Sequence, residues 1–166
     1  PVIFEASIAT SIISSLVSAI SGGNLYRETS FLLNSLNTKI ASDSLSIIEN
    51  PFLDKGHSSS YFDGEGVSLK ERTVLDNGVL NGYFLSSYSA RKLEMQTTGN
   101  SGGAHNLIVS SSKKNLSELI QGIDKGLLIT ELLGHGLNMV TGDYSRGAAG
   151  FWIESGKIKH AVEEIT

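Results

Sequence analysis

Apolar positions change their period part-way along this chain. Ile8, Ile12, Leu16, Ala19 and Ile20 recur at helical spacing in an uncharged run, and Gly22-Gly23 supplies the stop. The run carries several Ser and a Thr and falls short of the roughly 20 apolar residues that a spanning helix needs. No basic segment precedes it, so it reads as a buried core helix and not as a targeting or membrane element. A second helix is predicted over Tyr26–Ile40, with Phe31, Leu32 and Leu36 on one face. Leu45–Ile48 then reads as a short strand closed by Asn50-Pro51, and Asp54–Ser60 as an exposed polar loop.

From Glu65 onward the signals are those of hairpins. Thr73–Leu75 and Val79–Leu80 flank Asp76-Asn77-Gly78, and Asn-Gly predicts a tight turn because both residues tolerate positive φ. A short helix is expected over Ser87–Met95, a Gly-rich loop over Thr97–Ala104 and a strand at Leu107–Val109. Asn115 with Glu118 three residues on is a capping-box pattern, opening a helix that ends near Gly122. Leu127–Leu133 fits a strand or a helix, and periodicity does not choose between them. A last hairpin follows, with Ala149–Glu154, a Ser155-Gly156 turn and Ile158–Ile165. Helices first and hairpins later predict an α+β fold. Its largely antiparallel mixed sheet would be packed by an N-terminal helix pair and by short later helices. No repeat or linker interrupts residues 1–166, so one domain is expected.

Composition narrows the function classes. A 40% hydrophobic content and a mean hydropathy of +0.01 describe a globular chain, neither disordered nor membrane-spanning. At a net charge of −4, with Lys and Arg scattered, nothing marks a nucleic-acid surface. The absence of Cys excludes a disulfide framework or thiolate metal site and fits a reducing, cytoplasmic compartment. Because it starts at Pro1 and stops at Thr166 within a strand-like pattern, the chain reads as a piece of a longer protein.

Candidate chemistry is sparse. His57, His105, His135 and His160 share no helix-turn or hairpin spacing, and the pair Glu131 and His135 is one ligand short of a catalytic zinc. Gly99–Gly103 and Gly134-His135-Gly136 lack the strand–loop–helix setting of phosphate loops and read as tight turns. Asp63 and Glu65, interleaved with Gly64 and Gly66, read as a turn with solvated acids, although strand geometry would put both carboxylates on one face. No Gly-x-Ser-x-Gly elbow occurs. The densest recognition chemistry lies in the run Thr141–Glu154, where Gly142, Gly147 and Gly150 leave backbone bare around Asp143, Tyr144, Ser145 and Arg146, and Phe151-Trp152 follows. Aromatic residues and Arg anchor interfaces. For Trp152 a core position is expected; Arg146 fits either a buried ion pair or a recognition contact.

These residues resemble a known family. The whole run Thr141–Glu154 is similar to the signature of the PmbA/TldE proteins of the TldD/PmbA peptidase family, long labelled modulators of DNA gyrase. Ala19–Gly23 with Leu25-Tyr26-Arg27, Phe62-Asp63 with Glu65–Val67, Ser87–Leu93, and Thr98-Gly99-Asn100 with Gly102-Gly103 and His105-Asn106 extend the likeness along the chain. The resemblance implies most of a C-terminal domain, without the N-terminal domain and the extreme C-terminus. It also implies a subunit that pairs with a TldD-type zinc subunit as a cytosolic protease of unfolded peptides and peptide precursors. The partner's zinc motif, His-Glu-x-x-x-His, falls here on Ser14, Ser15 and Ala19, so no cofactor and no catalytic residue are expected in this chain. Asp143, Tyr144, Ser145, Arg146 and Trp152 are the expected peptide-binding or interface residues. Asp63, Glu65 and His105 would carry the alternative of a stand-alone peptidase. An interaction protein acting on DNA gyrase, and a homodimer of the isolated chain, are further alternatives.

Overall fold

The computed structural model describes residues 1–110, 112 and 114–166. In chain order the elements are β1 (Val2–Phe4), α1 (Ala6–Ala19), α2 (Gly22–Tyr26), β2 (Ile47–Glu49), β3 (Arg72–Asp76), β4 (Val79–Leu80), α3 (Ser87–Lys92), β5 (Leu107–Val109), α4 (Leu116–Gln121), β6 (Lys125–Leu133), β7 (Gly147–Glu154) and β8 (Lys157–Ile165). The α+β class stands, but the strands form two four-stranded sheets, ordered β1-β6-β7-β8 and β4-β3-β2-β5. The backbone gathers into two compact units, Pro1–Leu16 with Ser112–Thr166, and Val17–Ser111. No described helix is long and apolar enough to cross a membrane.

In the first unit β1 runs parallel to β6, and β6, β7 and β8 form an antiparallel meander. Pairing on both sides resolves Leu127–Leu133 as strand. Ser155 (φ 50°) and Gly156 (φ 70°) make the tight turn before β8. Leu128, Ile129, Ala148 and Ile153 form the buried positions. Trp152 is not the core residue expected: it is half-buried, and a register shift between Phe151 and Ile153 gives that place to Ile153. Gly150 is required where it stands, since a Cβ there would run into the Leu128 carbonyl of the neighbouring strand. The capping box forms as predicted, with Asn115 Oδ1 accepting from Glu118 N at 3.0 Å and Glu118 Oε2 from Asn115 N at 2.7 Å.

The second unit is built on the antiparallel sheet. Asn77 (φ 46°) and Gly78 (φ 79°) turn β3 into β4, as the Asn-Gly signal predicts. Ile47, Val74, Leu75, Leu80 and Leu85 fill the core together with Ile20 and Leu25. Ser86 caps α3, its side chain accepting from Ser89 N.

Two helical expectations need correction. The helix expected over Tyr26–Ile40 is instead the end of α2 followed by successive turns, with positive φ at Glu28, Asn34 and Asn37. Leu32 is buried there without helical periodicity, so the expected N-terminal helix pair reduces to α1 and the short α2. The run predicted as a buried core helix does form α1, yet only Ala19 of that helix is buried and Ile12 is 40% exposed. Periodicity marks which residues could pack; it says nothing about whether a neighbour covers them.

Candidate functional site

The polar centre of the second unit is built on Glu49, an acid in an inward position of β2 between outward Ile48 and the Asn50-Pro51 turn. Its side chain is 2% exposed and accepts Arg72 Nε on Oε2 at 2.7 Å. Oε1 accepts from Asn100 Nδ2 and from the His105 backbone N, each at 2.8 Å. Arg72 also donates Nη2 to Asn100 Oδ1 at 3.2 Å and lies over the Phe84 ring, 5.0 Å from its centroid. Thr98 donates to the same Asn100 oxygen at 2.7 Å. A buried acid of this kind is tolerated because it is paired with a charge and both of its oxygens accept hydrogen bonds. The cluster clamps the Gly-rich loop, where Gly99, Gly102 and Gly103 take positive φ, onto the sheet.

Asp63 secures the neighbouring loop. It is 6% exposed, so the solvated turn expected at this position is not what forms. Oδ1 accepts from the backbone N of Glu65 and Val67, both at 2.9 Å, and Oδ2 from Ser101 N at 3.0 Å. Burial pushes the carboxyl pKa up, but the three backbone donors and the nearby His105 outweigh it and hold the group below its ordinary value. Glu65 is exposed and accepts from Ser87 N at 2.8 Å. His105 faces two backbone carbonyls, Ser58 O from Nδ1 at 3.1 Å and Gly99 O from Nε2 at 3.2 Å. Asp63, Glu65 and His105 thus each spend polar atoms on backbone groups, in a set of loops that this chemistry rigidifies. Glu49, Arg72 and Asn100 were not singled out in the sequence. Glu49 and Arg72 lie one residue outside the predicted strands Leu45–Ile48 and Thr73–Leu75, and only the observed pairing of β2 with β3 sets them opposite each other.

Asp143, Tyr144, Ser145 and Arg146 come together in the first unit, on the connection from β6 to β7. An isolated bridge joins Leu137 and Tyr144, and Ser145 N donates to Gly136 O at 2.9 Å. Asn138 Oδ1 accepts from Val140 N at 3.0 Å, and Thr141 Oγ1 donates to Asp143 Oδ2 at 2.6 Å. The loop is therefore ordered by its own bonds while Tyr144 stays 44% exposed. Arg146 reaches the Leu133 carbonyl from Nε at 3.4 Å and has no ion pair among the described residues. Trp152 lies on β7 opposite Leu127. Glu131 sits within β6 and His135 beyond its end, so they do not share a helix face.

Ser14, Ser15 and Ala19, onto which the resemblance carries a zinc motif, lie on α1. Ser14 Oγ donates to Thr10 O at 3.0 Å and Ser15 Oγ to Ser11 O at 2.9 Å. Ala19 is fully buried. Protonated hydroxyls tied to the helix backbone and a buried methyl do not fit a zinc ion, whose ligands are thiolate, imidazole or carboxylate. Among the described residues no three His, Asp or Glu side chains gather closely enough to hold a metal.

The family model for the PmbA/TldA metallopeptidase C-terminal domain matches residues 1–166. The chain belongs to this family. It is 46% identical over 166 residues to the protein named metalloprotease PmbA in Escherichia coli O157:H7, covering 100% of this chain and 37% of that protein. The PmbA homologue of Haemophilus influenzae is 48% identical over 167 residues, with the same coverage. The chain therefore spans 37% of the length of the curated relatives it matches. Among solved structures, a candidate modulator of DNA gyrase from Bacteroides thetaiotaomicron superimposes with a TM-score of 0.93 at 40% identity, covering 98% of this chain and 37% of that one. TldE of Thermococcus kodakarensis gives a TM-score of 0.72 at 28% identity, covering 88% and 36%. The run Thr141–Glu154 that carried the resemblance spans the end of the loop from β6 to β7 and all of β7.

Proposed function

We propose that this chain belongs to the non-catalytic subunit of a two-component metallopeptidase, working beside a TldD-type subunit that supplies the zinc. The observation carrying this reading is that Ser14, Ser15 and Ala19 of α1, onto which the family resemblance carries the partner's metal motif, offer no ligand. Relatives named metalloprotease PmbA and TldE, and a TldD homologue of Buchnera aphidicola at 24% identity over 149 residues, support the pairing of a related but distinct partner. The substrates proposed are unfolded peptides and peptide precursors in the cytoplasm. In this scheme the chain binds and orients extended polypeptide, and the partner's metal supplies the hydrolytic chemistry. The ordered loop that exposes Tyr144 is the proposed contact to peptide or partner.

Metal content and peptidase activity of the full-length protein, measured with and without its TldD-type partner, test this reading. No bound zinc and no cleavage alone, with cleavage on mixing, is the expected outcome. Stoichiometric zinc or chelator-sensitive cleavage by the protein alone would overturn it. Tyr144→Ala with Arg146→Ala should lower cleavage or assembly of the mixture; unchanged values of both would remove these residues from the proposal.

A further inference from the structure

The two sheets end in four edge strands, and physical chemistry treats them unequally. An edge strand presents unpaired backbone groups and pairs with any extended chain unless something blunts it. β8 is blunted: Lys157, Lys159, His160, Glu163 and Glu164 crowd it, its register with β7 shifts twice, and Glu164 takes a φ of 53°. β4 is covered by the preceding segment, with Leu80 N donating to Thr38 O at 3.0 Å and Asn37 N to Leu80 O at 2.7 Å. β1 offers three residues beside its parallel partner.

β5 is as short as β1 but has neither the charges and irregular register of β8 nor the covering segment of β4. Leu107-Ile108-Val109 carries no charge and pairs with β2 in unbroken register. Ser110 N donates to Ser46 O at 2.8 Å and Asn106 O accepts from Asn50 N at 2.9 Å, so residues 106, 108 and 110 face β2. The N–H and C=O of Leu107 and Val109 consequently point away from the sheet, and they have no hydrogen-bond partner among the described residues. Two donor–acceptor sets two residues apart match one ligand shape, a backbone in extended conformation repeating at about 6.6 Å. Ile108, 43% exposed, and Ile48 opposite it, 36% exposed, add an apolar face beside that edge. Off the same end lies a groove of about 370 Å³ lined by Phe52, Leu53, Tyr61 and Phe62. Ser59, which also lines it, accepts from Asn106 Nδ2 at 2.8 Å and so couples the groove wall to the start of β5.

We propose that an unfolded polypeptide segment adds to β5 as an extra strand, placing one apolar side chain beside Ile108 and a larger apolar one in the Phe52–Tyr61–Phe62 groove. This assignment rests on the peptide-handling reading above and names the edge that would do the handling. Strand addition takes its affinity from main-chain hydrogen bonds and its preference from alternate side chains.

The test is fluorescence anisotropy of a short fluorescein-labelled peptide alternating valine and threonine, titrated with the intact chain. Val109→Pro removes one outward N–H at a position where an edge strand tolerates proline. It should weaken binding about tenfold, while Val109→Thr leaves it unchanged. A second arm leaves the protein untouched: the same peptide N-methylated at alternate residues should bind about tenfold more weakly. Absence of binding, or equal binding by Val109→Pro and by the methylated peptide, overturns the assignment. Self-association that Val109→Pro abolishes would give the edge to a second copy and overturn it too. None of these outcomes bears on metal content or on cleavage by the mixed subunits, so the failure of the edge and the failure of the subunit reading are separable.

Discussion

Glu49 and Arg72 form a nearly sealed ion pair across β2 and β3, with side chains 2% and 12% exposed. Removing one member leaves the other charged, buried and unpaired. Glu49→Ala should therefore cost about 3–5 kcal/mol of unfolding free energy, read by urea denaturation. Replacing both residues with apolar ones should not restore stability, because Asn100 Nδ2 and His105 N also lose their acceptor. A loss below about 1 kcal/mol for Glu49→Ala would mean that the pair is not sealed in solution.

Asp63 ties stability to acid pH. Its folded pKa is lowered from an ordinary 3.8, so the stability it contributes is present above that value and disappears as pH falls through the folded pKa. Asp63→Asn loses the carboxylate at every pH. Unfolding free energies of wild type and variant should differ by a constant amount above about pH 5 and converge below pH 3.8. Parallel curves down to strong acid would contradict the hydrogen-bonding role.

Two glycines should respond oppositely to alanine. A Cβ at Gly150 meets the Leu128 carbonyl, whereas one at Gly23 meets nothing within 4 Å and the residue lies in α2. Gly150→Ala should destabilise by about 1–3 kcal/mol through enforced strand separation. Gly23→Ala should stabilise by about 0.5 kcal/mol by restricting the unfolded chain. Thermal unfolding of the pair checks both signs.

Installing a metal motif on α1 should fail. Ser14 is exposed and Ser15 half-buried, but Ala19 is 0% exposed. Ala19→His should destabilise by about 1–3 kcal/mol through overpacking. The triple variant Ser14→His, Ser15→Glu, Ala19→His should bind no stoichiometric zinc in equilibrium dialysis. Tight zinc binding with undiminished stability would show that the helix retains a usable site.

Legibility in the sequence followed the range of the interaction. Asn77-Gly78, Ser155-Gly156 and the Asn115–Glu118 capping box were readable because the energies that select them act within four residues. Tyr26–Ile40 was misread for a related reason. Its apolar spacing fits a helix, but Glu28, Asn34 and Asn37 take positive φ and the segment instead packs Leu32 through turns. Of the candidate residues, the loop Asp143–Arg146 was found by its unusual composition, whereas Asp63 was placed in solvent because nothing near it in sequence announces Ser101.

By itself the sequence determined the two hairpin turns, the Asn115–Glu118 cap, most of the strands and the family, all carried by local backbone preference or by contiguous motifs. It also determined that Ser14, Ser15 and Ala19 cannot ligate zinc, a matter of side-chain chemistry alone. Only the tertiary structure decided that Glu49 is sealed by Asn100 and His105, 51 and 56 residues away, that α1 is half-covered with only Ala19 buried, and that β5 keeps an open edge. Burial and edge exposure depend on which distant segment arrives as a neighbour, and no local preference encodes that arrival.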